Sequence, residues 1–156
     1  MSGILEHLNE PQREAVTTIE GPVMVIAGAG SGKTRALTHR IAYMIEQGIN
    51  PFSIMALTFT NKAAKEMKER IMQLVEPGAA RNVWMGTFHS IFARILRIEA
   101  ASLGYTPEFT IYDTDDSKTL INAILKEREI DTKAYPAKYI LHRISMAKSA
   151  LYTPED

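Results

Sequence analysis

Unbroken apolar runs alternate along this chain with stretches where apolar residues recur at helical spacing, and the alternation predicts its architecture. Val23-Met24-Val25-Ile26 is rich in β-branched residues and has the pattern of a strand buried on both faces. Leu37, Ile41, Met44 and Ile45 follow at helical spacing, with Gly48 as a stop signal. The succession then repeats. Ile54-Met55-Ala56-Leu57 reads as a strand ending in Thr58-Phe59-Thr60-Asn61, and a helix capped by Asn61 places Ala64, Met67, Ile71 and Leu74 or Val75 on one face until Pro77-Gly78. Val83-Trp84-Met85 reads as a further short strand, with Gly86-Thr87-Phe88-His89-Ser90 as its exit and an amphipathic helix from about Ser90 to Leu103, closed by Gly104. Strands separated by helices imply parallel crossovers, so the expected class is α/β, with the strand ends gathered on one ligand-binding rim.

The flanks are helical. Asn9 is placed to cap a helix with Pro11 in its first turn and Gln12 at the third position, the spacing of a capping box; Ala15, Val16 and Ile19 continue it until Gly21-Pro22. Near the other end, Phe109-Thr110-Ile111-Tyr112 is a short strand-like run. Asp113 then caps a helix to about Arg128, with Asp115 and Asp116 in its first turn, and Pro136 opens another bearing Tyr139, Ile140, Ile144 and Met146.

Composition narrows the class. At 156 residues and 46% hydrophobic, the chain can build one α/β domain with a true core and part of a second. Formal net charge is zero, but residues 1–98 carry 11 Lys and Arg against 8 Asp and Glu, a net of +3, while residues 99–156 carry 7 against 10, a net of −3. The absence of cysteine excludes disulfides and Cys-based zinc sites. No apolar run reaches membrane-spanning length, and Met1 to Glu10 lacks the basic and apolar parts of a signal peptide, so a soluble cytoplasmic protein is expected.

Between the first apolar run and the first long helix lies the most informative stretch, Ala27-Gly28-Ala29-Gly30-Ser31-Gly32-Lys33-Thr34. Gly28, Gly30 and Gly32 can take positive φ, so that successive N–H groups turn inward around the β- and γ-phosphate oxygens of a nucleotide. The helix that follows adds its N-terminal partial charge. Lys33 is placed to reach the β/γ-phosphates and Thr34 to ligate the Mg²⁺ that bridges them. Ala27 replaces the first glycine of the strict pattern G-x-x-x-x-G-K-[ST], which asks only that its φ be negative.

Other residues carry two readings each. Gln12 is a helix cap or an amide that reads an adenine edge. Phe59 is a stacking platform for an unpaired base or a continuation of the strand into the core. Lys62, Lys65, Lys68 and Arg70 read as a solvated face paired with Glu66 and Glu69 rather than a DNA track. His89 reads as a hydrogen-bonded structural histidine, because no second metal ligand lies at i+3 or i+4. Residues 82–96 contain no acid, and Arg94 and Arg97 lie one turn apart, which suits a phosphate contact. Asp113 is a cap or the magnesium-binding end of an apolar strand, and the shortness of the run and the lack of a following Glu favour the cap.

Four stretches in order, LNEPQREAV (Leu8 to Val16), AGAGSGKTRAL (Ala27 to Leu37), ALTFTNKAAKEM (Ala56 to Met67) and GTFHSIFARILR (Gly86 to Arg97), resemble the Q motif and motifs I, Ia and Ib of UvrD/Rep/PcrA-type superfamily 1 DNA helicases. The resemblance implies a RecA-like P-loop NTPase domain, with a parallel sheet flanked by helices, over residues 1–106. It implies the start of a mainly helical insertion over 107–156. It further implies an ATP- and Mg²⁺-dependent translocase that unwinds DNA from a 3′ single-stranded tail, in repair or replication, at a junction of single- and double-stranded DNA. By position it assigns Gln12 to the adenine; Ala27, Gly28, Ala29, Gly30, Ser31, Gly32, Lys33 and Thr34 to the phosphates and magnesium; and Arg35 to the base and sugar. It assigns Phe59, Thr60, Asn61, Thr87, Phe88 and His89 to the single strand. It thereby favours adenine reading for Gln12 and stacking for Phe59. No apolar run ends in Asp-Glu, so a second magnesium ligand and a base for the attacking water are missing. The chain is therefore expected to hydrolyse no ATP by itself, and an open sheet edge is expected to favour self-association.

Overall fold

The computed structural model describes residues 3–155 and divides into two compact units, Met1–Pro107 and Glu108–Asp156. The first unit contains α1 (Glu10–Thr17), α2 (Lys33–Glu46), α3 (Asn61–Leu74), α4 (Pro77–Asn82) and α5 (Phe88–Glu99) and two parallel strands, β1 (Met55–Thr58) and β2 (Trp84–Thr87), with α3 and α5 packed on the strands and α1 on α2. The strands pair in register from Met55 with Trp84 to Thr58 with Thr87, so their carboxyl ends finish side by side.

The helical spacing of α2 and α3 explains the core. Ile41 from α2 and Met67 and Ile71 from α3 close over Ile54, Ala56, Ala80 and Val83, with Met67 and Ile71 1% and 0% exposed. Because the core lies between the helices and β1, it fixes the rim where β1 gives way to α3 and β2 to α5. Local signals set the starts of the helices. Asn9 and Gln12 form a capping box on α1, while Thr60 and Thr87 cap α3 and α5 by accepting from Ala63 N and Ser90 N. The cap of α3 is thus Thr60, with Asn61 its first residue; both side chains suit a cap, and the extended backbone at Thr60 decides between them. Pro77 both follows the end of α3 and opens α4, where a missing N–H costs nothing. The helix expected to run from Ser90 to Leu103 starts at Phe88, ends at Glu99 and tightens into a 3₁₀ turn, Ala100–Leu103, before left-handed Gly104.

The largest departure from expectation is Val23 to Ile26. The segment belongs to no strand, and its side chains are exposed, Met24 and Ile26 by 84% and 87%. A strand needs a neighbour to take its backbone hydrogen bonds, and among the described residues the sheet consists of β1 and β2 alone. Phe109 to Tyr112 likewise forms no strand.

In the second unit α6 (Thr114–Glu127) packs with α7 (Ala137–Ser149), with Leu125 and Ala137 buried. Asp113 is the cap of α6: its carboxylate accepts from Asp115 N and Asp116 N, and Asp116 returns a bond to Asp113 N. Those backbone bonds, Asp116 first, hold the Asp113 carboxyl below its ordinary value. Among the described residues no helix is long and apolar enough to cross a membrane.

Candidate functional site

The loop from Ala27 to Gly32 enters α2 through Gly32, which has φ +83° and carries no side-chain cap, so the first amides of α2 open directly onto the loop. Gly30 is also left-handed at φ +75°, whereas Gly28 is not; two of the three glycines, rather than all three, need positive φ. Ala27 takes no positive φ either, which removes any conflict with its side chain. Ser31 bends back on Gly28 O through its N–H at 3.4 Å and its hydroxyl at 2.7 Å. Lys33 curls over the loop, its Nζ donating to Ala27 O at 3.0 Å and Gly28 O at 2.8 Å. A cation held by two neutral carbonyls, with no carboxylate among its hydrogen-bond partners in the described residues, can exchange them for phosphate oxygens at a gain in charge complementarity.

Gln12 joins this loop. Its Oε1 accepts from Asn9 N at 3.3 Å, while Nε2 donates to Ser31 O at 2.9 Å. The cap reading is present in the geometry, together with a loop contact that sequence spacing did not reveal. Beside the loop lies a cleft of about 330 Å³, lined by Gln12, Ala15, Gly28, Ser31, Lys33 and Ala36. Thr34 and Arg35 are exposed on the first turn of α2, and Arg35 lines a separate cleft with His39 and Arg70. His39 donates from Nδ1 to Arg35 O at 2.9 Å, and partial burial is the main cause that lowers its pKa from 6.5, favouring a neutral ring.

The ends of β1 and β2 form a second surface on the same unit. Phe59 is 91% exposed, so it does not continue the strand into the core, and its ring lies 5.3 Å from that of Phe88 at an interplanar angle of 35°. Two aromatics from different strand ends therefore act as one platform. Thr60, Asn61 and His89 are exposed around it and Thr87 is half-buried. Thr58 donates to Thr60 O at 3.1 Å, which tightens the turn after Phe59. Gly86 sets the approach of α5: a Cβ there would come within 2.7 Å of Ser90 Oγ and 3.0 Å of Ile91 Cγ1. That close approach carries Phe88 toward Phe59, and no periodicity in the sequence announces it.

The basic residues behave differently from expectation. Among the described residues the ion pair formed is Lys118 with Asp115, so Lys62, Lys65, Lys68 and Arg70 make none with Glu66 or Glu69. Exposed pairs gain only a few tenths of a kcal/mol, roughly what fixing two long side chains costs. Arg94 stacks its guanidinium 4.5 Å from the Trp84 ring centroid, anchoring part of the acid-free stretch to β2.

A glycine-rich loop held by an amide, on a unit with two parallel strands among helices, makes this an α/β domain. Comparison with known proteins gives the family: the chain matches the UvrD/REP helicase N-terminal domain over residues 8–156, and it belongs to that family. It is 49% identical over its whole length to the ATP-dependent DNA helicase PcrA of Staphylococcus aureus, and equally so to the protein of that name from Staphylococcus epidermidis. The chain spans 21% of the length of each.

Proposed function

We propose that this chain is the nucleotide-binding N-terminal part of an ATP-dependent DNA helicase with a RecA-like first motor domain. The observation that carries the reading is Lys33: its ammonium is held over the glycine-rich loop by the Ala27 and Gly28 carbonyls, at the start of a helix with no side-chain cap. ATP enters with its phosphates on residues 27–34. Mg²⁺ would be held through the Thr34 hydroxyl and would supply charge neutralisation for the phosphates. Gln12 and Arg35 meet the adenine and sugar. Residues 1–106 form the motor part, and 107–156 begin a helical insertion.

Single-stranded DNA lies across Phe59, Thr60, Asn61, Thr87, Phe88 and His89, where the paired rings stack on bases and the hydroxyls and amide meet the backbone. The whole protein translocates 3′ to 5′ from a junction of single- and double-stranded DNA, in repair or replication, in the cytoplasm. The chain itself does not hydrolyse ATP at a useful rate, since its sequence offers no second magnesium ligand or water-orienting base; measurable turnover by the purified chain contradicts this. Among the described residues the sheet has two strands, and its open edges favour self-association; a monomer by light scattering at high concentration contradicts that.

The test of the central reading is fluorescent-ATP titration with Mg²⁺. Wild type binds, and Lys33→Ala binds about tenfold or more weakly, the worth of charge-assisted hydrogen bonds. Equal affinity for the two overturns the reading.

A further inference from the structure

We propose that Gln12 is a positioning residue that fastens the glycine-rich loop to α1, so that it sets affinity at the phosphate end of the nucleotide and not only at the base. The proposal rests on the nucleotide reading above and extends it. The hydrogen bonds of one amide carry it. A glutamine that merely capped α1 would use Oε1, which accepts from Asn9 N, and leave Nε2 to solvent. Here Nε2 reaches across 19 positions of sequence to Ser31 O at 2.9 Å. The same atom lies 2.5 Å from where a Cβ on Gly32 would stand, so the amide rests directly on the Gly32 backbone at the entry to α2. Gly32 thus lacks a side chain for two reasons, its positive φ and this contact.

The anchor behind Gln12 is firm. Val16 on α1 is fully buried, and the far end of α1 is tied to α2 by Arg40, whose Nη1 donates to Ala15 O at 2.7 Å and also to Thr18 O. Helix α1 is therefore bonded at one end to the loop before α2 and at the other to α2 itself. Ser31 is held from within the loop by Gly28 O and from outside by Gln12. A phosphate cradle works when its N–H groups already converge, because a loose loop must be ordered on binding. The second N–H and the second lone pair of the Gln12 amide remain for an adenine edge, so both roles are compatible.

The test uses magnesium tripolyphosphate, which has neither base nor sugar. Gln12→Met keeps the length and loses the donor, and Asn9→Ala weakens the same cap while keeping the loop bond. Gln12→Met should bind tripolyphosphate about two- to tenfold more weakly, the scale of one hydrogen bond, and Asn9→Ala within about twofold of wild type. Amide hydrogen exchange over residues 28–32 without ligand should accelerate in Gln12→Met and not in Asn9→Ala. Gln12→Glu, which keeps the cap acceptor and lacks the donor, should repeat the acceleration. Unchanged tripolyphosphate affinity and unchanged exchange in Gln12→Met overturn the proposal and leave Gln12 a reader of the base. Absence of Lys33-dependent tripolyphosphate binding in wild type overturns the nucleotide reading instead, and the exchange result still decides whether Gln12 holds the loop.

Discussion

Val23 to Ile26 and β1 are both apolar runs leading into a turn with candidate binding chemistry, yet they end in opposite states. β1 pairs with β2, and Ile54 and Ala56 beside and within it are 4% and 5% exposed. Val23 to Ile26 pairs with no strand, and Met24 and Ile26 stay in solvent. Side-chain pattern states a preference for burial; a neighbouring backbone edge decides whether a strand forms. The consequence runs to function. The turns after β1 and β2 are fixed by a core, whereas the turn after Val23 to Ile26 depends on α2, on Gln12 and on its own internal bonds.

Paired mutations sharpen the contrast. Ile71→Ala, under β1, should cost about 2–5 kcal/mol in urea unfolding because it empties a fully buried site. Ile26→Ala should cost no more than about 0.5 kcal/mol. Similar losses for both would break the comparison. Next in size is Gly86→Ala, where overpacking against Ser90 and Ile91 should cost about 1–3 kcal/mol and part Phe88 from Phe59. A stability equal to wild type would show that α5 gives way freely.

The smallest effects are acid ones. The lowered pKa of Asp113 means its folded form resists protonation, so its contribution is present above its ordinary value of 3.8 and is lost as pH falls through the folded value. Helical circular dichroism should therefore decline at low pH in wild type and show less of that decline in Asp113→Ala. His39 has the opposite charge and the same sign. Its lowered pKa means the unfolded chain binds more protons below 6.5, so stability falls as pH drops from there, and His39→Gln should flatten that slope.

Much of this was legible in the sequence for identifiable reasons. The capping box at Asn9 and the cap at Asp113 depend on neighbouring residues and formed as read, and Asp116 completes a box at Asp113 that the reading did not include. The apolar stripe of α3 predicted Met67 and Ile71 in the core. Family resemblance was carried by order and wording along the chain, and the match over residues 8–156 agrees with it. Contacts between distant residues were not legible. Nothing in local spacing joins Gln12 to Ser31 or Phe59 to Phe88, because each is made by packing of separate elements. Lys33 folding back on Ala27 and Gly28 was hidden by a motif that specifies the ligand-bound arrangement. Ion pairs on α3 were overestimated because suitable spacing permits an exposed pair without making it favourable.

The most direct measurement of the account is binding of a fluorescent oligothymidylate to wild type and to Phe59→Ala. The strands that carry the platform are already paired and cored, so wild type should bind in a salt-sensitive manner, and loss of the Phe59 ring should weaken binding about tenfold, within the ~1–3 kcal/mol of one stacked base. Equal affinity for the two proteins would contradict the assignment of the β1 and β2 ends as the single-strand surface.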